Sequence, residues 1–448
     1  MIAQAFFLLS LAVPASSHAS AQTQPAAAQP GPAELRLTLA EALAMARDAS
    51  PRLAQLQALY SASDAGVHRA GANRLPQVDL SAGYTRYSHV PEFSVPIPGR
   101  GTQTIFPDLP DNYRARLGVW MPLYTGGRLA SLSDAAKMDR EASERDVVTG
   151  TIDLVYETNV AYWSLVTARE SERVLNEALA AYESHLEDAQ NRQRFGLAAS
   201  NEVLAVQVER DQAELARLDA GNAAEIANAT LVRLLGVATG TRVDAAEPLD
   251  QPQAGPIGLE DAIAEALATR PERAALKSRI VAAEAMVRVE RSARLPQVSA
   301  VAGYDYANPN RRIMPMADEW KATWDVSFNV ALSVFDSGRT SASMDRASAQ
   351  LEALKQQLEE LDRRIELNVT SALLDLESAH AALAVADRNL DAARENRRVS
   401  ADRYREGVSP SSELLDAEVA LQQVGLQRTR ALARIRQSTA GLERAIGR

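Results

Sequence analysis

Arg74-Leu75-Pro76-Gln77-Val78 and Arg294-Leu295-Pro296-Gln297-Val298 are the same five residues, 220 positions apart. At that offset Ala82-Gly83-Tyr84 recurs as Ala302-Gly303-Tyr304. Leu39-Ala40-Glu41-Ala42-Leu43, with Pro51 following, recurs as Leu259-Glu260-Asp261-Ala262-Ile263, with Pro271 following. Further on, Leu123-Tyr124-Thr125-Gly126-Gly127-Arg128 matches Val334-Phe335-Asp336-Ser337-Gly338-Arg339, and Arg194-Phe195-Gly196 matches Arg405-Glu406-Gly407, both at 211. Matches that keep register over this length make the chain one unit written twice. The difference between the two offsets falls between Tyr84 and Leu123, where Pro91, Pro96, Pro98, Pro107 and Pro110 mark a longer loop.

Each unit reads as helix, strand pair, very long helix, turn, helix. The first occupies 38–236, with a β-hairpin at about 76–124, a long helix over 127–195 and a return helix over 201–236. The second occupies 258–448, with a hairpin at about 296–335, a long helix over 339–406 and a return helix over 411–447. Between Thr340 and Glu406 there is neither Gly nor Pro, and Leu351, Leu354, Leu358, Leu361, Ile365 and Val369 keep the three/four spacing of a coiled-coil seam. Such a helix is a rod of roughly 100 Å at ~1.5 Å per residue. Gly196 and Gly407 stand where each rod must stop, because glycine enters the left-handed region without steric cost.

Composition narrows the function. The 448 residues hold no Cys and five scattered His, which argues against disulfides, thiolate metal sites, a Cys nucleophile, a lipidated N-terminal Cys and a His-built metal centre. A net charge of −10 argues against nucleic acid as a partner. No glycine-rich phosphate loop, nucleophile elbow or carboxylate–histidine cluster is present, so no enzyme activity and no cofactor are expected. Residues 1–21, with the apolar run Ala5–Val13 and the small-residue site Ala19-Ser20-Ala21, read as an export signal, and 22–37 as a flexible lead-in. Beyond that leader no window is expected to reach the ~18 apolar residues of a membrane-spanning helix.

The strands then carry the membrane question. Trp320, Trp324, Val326, Phe328, Val330, Leu332 and Val334 alternate with polar residues, as Tyr113, Ala115, Leu117, Val119, Met121 and Leu123 alternate with Arg114 and Arg116. Weaker first strands run through Val78–Tyr84 and Val298–Tyr304. A period of two puts one face in apolar surroundings, the pattern of transmembrane barrel strands. Four strands are too few for a closed barrel, and an open edge in lipid is too costly. The barrel has to be shared between chains, and two, three or four copies all satisfy the arithmetic.

With the repeated Leu-Pro-Gln, the Pro122-Leu123-Tyr124 and Val334-Phe335 strand exits and the Gly196 and Gly407 turns, residues 35 to 447 resemble the TolC family of outer-membrane efflux proteins. The resemblance implies a mostly α protein with a membrane β part. It would be a homotrimer closing a 12-strand β-barrel in outer-membrane lipid above a 12-helix periplasmic tunnel, with residues 237–257 in an equatorial belt. It implies a passive exit duct for efflux or type I secretion. The partners would be a periplasmic adaptor (membrane fusion) protein and an inner-membrane transporter of the RND or ABC type. Glu413 and Asp416 match the family's acidic positions at the periplasmic constriction, and Tyr404 and Glu202 its gate latch. Ser409 departs from the family's Arg in that latch, leaving Arg403 or Arg405 as substitutes. The competing expectation is a soluble periplasmic coiled-coil structural or adaptor protein, with Glu413 and Asp416 simply suiting the start of a helix. Nothing in the sequence selects a cargo.

Overall fold

The computed structural model describes residues 34–99, 101–249 and 258–448. The signal segment 1–21, most of the lead-in to 37 and the last part of the 237–257 belt lie outside the described residues. In chain order the elements are β1 (Glu34–Leu37), α1 (Leu39–Ala49), α2 (Pro51–Ala72), β2 (Gln77–Arg86), β3 (Phe93–Ile97), β4 (Gly101–Phe106), β5 (Asp111–Tyr124), α3 (Arg128–Arg194) and α4 (Ser200–Leu235). There follow β6 (Arg242–Ala245), α5 (Leu259–Thr269), α6 (Pro271–Arg291), β7 (Gln297–Asn308), β8 (Lys321–Ala331), α7 (Arg339–Arg405) and α8 (Ser411–Ile446). The rods α3 and α7 each have 67 residues, and α4 and α8 each have 36.

Local chemistry sets these boundaries. Thr38 and Glu41 close a reciprocal capping box at the start of α1. Pro51 and Pro271 each stand at the first turn of their helix, where no backbone N–H is needed. Along α7, Ile365 and Val369 are fully buried and the preceding Leu351, Leu354, Leu358 and Leu361 half-buried, so the seam lies where the spacing predicts. Ile365, Val369 and Leu373 pack on Ala262 and Ala266 of α5 and on Leu442 and Ile446 of α8. One 18-residue window of α7 is apolar enough to pass as a membrane span by composition, contrary to the sequence expectation. Only 22% of that window is buried within the chain, and a count of apolar residues does not distinguish a rod's outer stripe from a span.

The rods pair as hairpins, α3 with α4 and α7 with α8, and α3 also packs against α2, α6 and α8. A belt crosses their middle. There β1 and β6 pair in parallel over a core of Tyr162, Trp163, Leu165, Leu231, Leu235 and Val243. The Asn228 side chain joins rod to belt: its amide donates to Thr241 O at 2.9 Å, and its Oδ1 accepts from Val243 N at 2.9 Å.

At one end of the rods lies a four-stranded antiparallel sheet in the order β2-β5-β7-β8. Register places Arg114, Arg116, Asp305, Thr323 and Asp325 on one face and Tyr113, Leu117, Tyr304, Trp324, Val326 and Phe328 on the other. The apolar face is left bare by the described residues: Trp324 is 73% exposed, Phe328 70% and Leu80 77%. Aromatic rings gather near the loop end, with Tyr113 5.9 Å and Tyr306 4.9 Å from Trp320. From Tyr113 to Tyr124, strand steps of about 3.4 Å tilted by about 40° climb roughly 28 Å, close to the ~25 Å apolar band of an outer-membrane barrel.

The one helix expected ahead of each strand pair is two, parted before Pro51 and before Pro271, and two details of the strands also differ from the sequence expectation. β8 stops at Ala331 rather than near Val334, because Ala331 pairs with Gln297, the first residue of β7, and nothing lies beyond to pair with. The long loop after β2 carries its own ribbon, β3 with β4, closed by Phe93 against Phe106 at 6.3 Å. Pro96 is tolerated inside β3 because a two-stranded ribbon leaves each strand an outer edge.

Asn228→Ala leaves the Val243 N–H and the Thr241 carbonyl without their partner. The expected cost is about 2–4 kcal/mol of unfolding free energy, read by denaturant titration followed by circular dichroism. A change below about 0.5 kcal/mol, the scale of a surface substitution, would mean that the belt is not pinned through this side chain.

Candidate functional site at the hairpin tips

Both rods end in the same turn. Leu197 N donates to Arg192 O at 2.8 Å and Gly196 N to Gln193 O at 2.9 Å. In the second hairpin Val408 N donates to Arg403 O at 2.9 Å and Gly407 N to Tyr404 O at 3.1 Å. Each is a Schellman motif, which needs a left-handed residue just after the helix. Gly196 and Gly407 supply it with φ of 73° and 76°. The apolar residues beside each glycine are left bare, with Phe195 80%, Leu197 76% and Val408 66% exposed.

Glu413 and Asp416 both lie near the start of α8, where carboxylates suit the helix dipole. They are not equivalent. Glu413 Oε1 accepts from Arg403 Nη1 at 2.7 Å across the turn, whereas Asp416 is exposed and has no ion-pair partner among the described residues. Arg405 is paired with Asp402. Ser409 is buried and its hydroxyl has no partner.

Tyr404 and Glu202 are not hydrogen-bonded to each other. Glu202 sits half-buried in the first turn of α4. Tyr404 is buried against α3: Arg192 lies 4.2 Å over its ring, and His185 meets it edge-on at 5.2 Å. Arg192 Nη2 also donates to Tyr404 O at 2.7 Å and to Arg405 O at 3.2 Å. A guanidinium of one hairpin therefore caps the C-terminal carbonyls of the other hairpin's rod, where a cation is favoured by the dipole. The Tyr404 hydroxyl faces the Ser411 region without completing a hydrogen bond, and burial pushes its pKa up, so the phenol stays neutral.

Behind this cap lies a buried polar seam. His185 Nδ1 stands 3.1 Å from Glu418 Oε2 and its Nε2 3.0 Å from Ser411 Oγ. The carboxylate only accepts, which assigns a proton to Nδ1 and leaves Nε2 to accept from the Ser411 hydroxyl when the ring is neutral. Arg397 approaches the other oxygen of Glu418 at 3.8 Å. One helical turn up, Tyr182 donates to Gln422 Oε1 at 3.1 Å; burial first, then the Glu418 charge, drives its phenol pKa up.

Sequence reasoning passed over Arg192, His185 and Glu418. A signal existed: Tyr182, His185 and Ala189 share the buried stripe of α3 at three/four spacing, so the histidine interrupts an otherwise apolar seam. Its carboxylate partner lies more than two hundred residues away, and no local pattern announces it.

The profile described as outer membrane efflux protein matches residues 42–237 and 262–448, both helical units with their strands. Protein CyaE of Bordetella pertussis is 27% identical over 384 residues, 85% of this chain and 78% of its own length. The pyoverdine export outer membrane protein OpmQ of Pseudomonas aeruginosa is 27% identical over 327 residues, 71% of this chain and 64% of its own length. The Campylobacter jejuni CmeC outer membrane channel shares the fold, with a TM-score of 0.79 over 91% of this chain and 85% of that one at 16% identity. An apolar-faced sheet at one end of paired rods, matched by the family profile on both units, leads to one conclusion: the chain belongs to the outer membrane efflux protein family and is an exit duct of the outer membrane.

Proposed function

We propose that three copies close their sheets into one 12-strand barrel, with their rods forming a periplasmic tunnel whose mouth is set by the hairpin tips. The observation that carries this reading is the sheet itself: β2 and β8 are unpaired edges, and the face turned away from the charges is apolar and bare. In lipid those edges need partners, and β8 of one copy against β2 of the next supplies them. The rods support the same assembly. On α4, exposed Leu204, Val208, Leu215, Leu218 and Ile226 fall within about 80° of the helix circumference, and on α7 exposed Leu367, Leu374, Val385 and Val399 fall within about 40°. Two apolar stripes that none of the described residues covers suit helix packing between copies.

Around the tunnel mouth, Asp416 is the carboxylate left open to a passing cation, while Glu413 is held by Arg403. The closed position is held by the Arg192 cap and by the His185–Glu418 contact. Both join the α3/α4 hairpin to the α7/α8 hairpin, so an opening swing has to break them. Bare Phe195, Leu197 and Val408 at the turns are where a periplasmic adaptor protein would dock. An inner-membrane transporter of the RND or ABC type would complete the conduit.

Leu215→Glu with Ile226→Glu places like charges in the stripe between copies and is expected to shift the detergent-purified protein from trimer to monomer in native mass spectrometry. Persistence of the trimer would remove α4 from the interface.

Asp416→Ala is expected to raise the concentration of trivalent cation that halves single-channel current about tenfold, the effect of losing one charged contact. Glu413→Ala should raise it less. Equal effects, or none, would return both carboxylates to a purely helix-capping role.

Removal of the guanidinium in Arg192→Ala weakens the closed tip by about 1–2 kcal/mol, so a larger open fraction or conductance is expected in planar bilayers. Tyr404→Phe should leave conductance unchanged, because the hydroxyl it removes has no partner. The reverse pattern would make the phenol, and not the cap, the latch.

A further inference from the structure

The charged face of the sheet holds a second cluster, far from the tips. Asp305 on β7 is buried and accepts Arg114 Nε at 2.6 Å and Arg116 Nη1 at 2.5 Å, both from β5. Asp325 on β8 accepts from Arg116 Nη2 at 3.2 Å, and its other oxygen stands 3.2 Å from Arg312 Nη2, of the loop before β8, as an ion pair without a hydrogen bond. The order Arg114–Asp305–Arg116–Asp325–Arg312 is a ladder of alternating charge with a cation at each end. Arg311 adds one more, lying 4.7 Å over the Tyr87 ring and donating to Asn112 Oδ1 at 3.2 Å. Gly303 makes the ladder possible, since a Cβ at that position would collide with the Arg116 guanidinium laid across β7.

The charges do not balance. Four guanidinium groups face two carboxylates, and each carboxylate is already ion-paired with two of them. Asp111 pairs with Arg86 on the other side of the sheet, Asp108 with His89 and Glu319 with Lys321. Asp79 lies nearer the rods, opposite Gly118. Arg114 remains 60% and Arg312 49% exposed. With Arg311 they line a cavity of about 550 Å³ whose other polar walls include Asn112 and Thr323. Guanidinium forks fixed by buried carboxylates, with N–H donors to spare, match the geometry of carboxylate and phosphate groups. Arginines lining a pore favour anions.

We propose that Arg114, Arg311 and Arg312 form an anion-binding station inside the barrel near its outer mouth, through which solutes bearing carboxylate or phosphate groups leave. This rests on the closed barrel proposed above, which turns the charged face inward and sets three stations around one lumen. The duct then carries opposite signs at its two ends, acidic at the tips and basic at the exit.

Tripolyphosphate block of single-channel current in the full-length protein tests the station, with the anion added separately from the loop side and from the tip side. Block is expected at lower concentration from the loop side. Arg311→Gln with Arg312→Gln leaves buried Asp305 both its partners, and is expected to raise the half-blocking concentration about tenfold. Arg311→Lys with Arg312→Lys, which keeps the charge, should retain most of the block. An unchanged half-blocking concentration in the glutamine variant, or block from the tip side alone, overturns the station while the duct stands. Absence of any pore in the unsubstituted protein overturns the closed barrel and the station with it.

Discussion

A backbone N–H or C=O facing hydrocarbon has no water to bond to, and each one left unpaired costs several kcal/mol. The sheet of this chain depends on that constraint throughout. Its apolar face has no cover among the described residues, so lipid is its natural neighbour, and lipid does not tolerate the free edges of β2 and β8. One requirement, that every edge be paired, makes a single chain incomplete. In the closed barrel proposed above, it also fixes which face looks into the lumen, and so which side chains a leaving solute would meet. The charges of β5, β7 and β8 are tolerable at membrane depth only on that inner face.

The helical part follows a different logic, because water surrounds it. Here stability comes from seams, and those within the chain are well filled: Ile365, Val369 and Leu373 against α5 and α8, and Tyr182, Val206 and Leu415 between the two hairpins. Near the tips the seam turns polar. Buried Glu418 is held by a histidine and an arginine, and a guanidinium caps a helix end. Apolar contacts resist separation nearly uniformly. A few directional polar contacts are lost together when their partners part, which suits the opening proposed for the tips.

The regular parts of this fold were legible because their causes are local. The glycine turns, the seam from Leu351 to Val369 and the alternation of β5 and β8 are all written in consecutive residues. The end of β8 was not, because it depends on where β7 begins. The β3–β4 ribbon was obscured by Pro96, which argues against a strand unless the strand is known to have a free edge. The tip shows the same division. The positions of Glu413 and Asp416 on one helix follow from spacing, whereas the Arg403 partner that distinguishes them, and the Arg192 cap on Tyr404, depend on how segments meet in space.

The equal lengths of α3 and α7, and of α4 and α8, have an evolutionary consequence. Each residue inserted into one rod displaces its tip by about 1.5 Å and rotates everything beyond it by about 100°. A lone insertion would therefore lift one turn out of the plane of the other and tear the seam. Only matched changes survive, made in both rods and in both returning helices, in steps that restore the helical phase. The two halves differ in the length of their strand loops, while their rods and returning helices agree residue for residue in length.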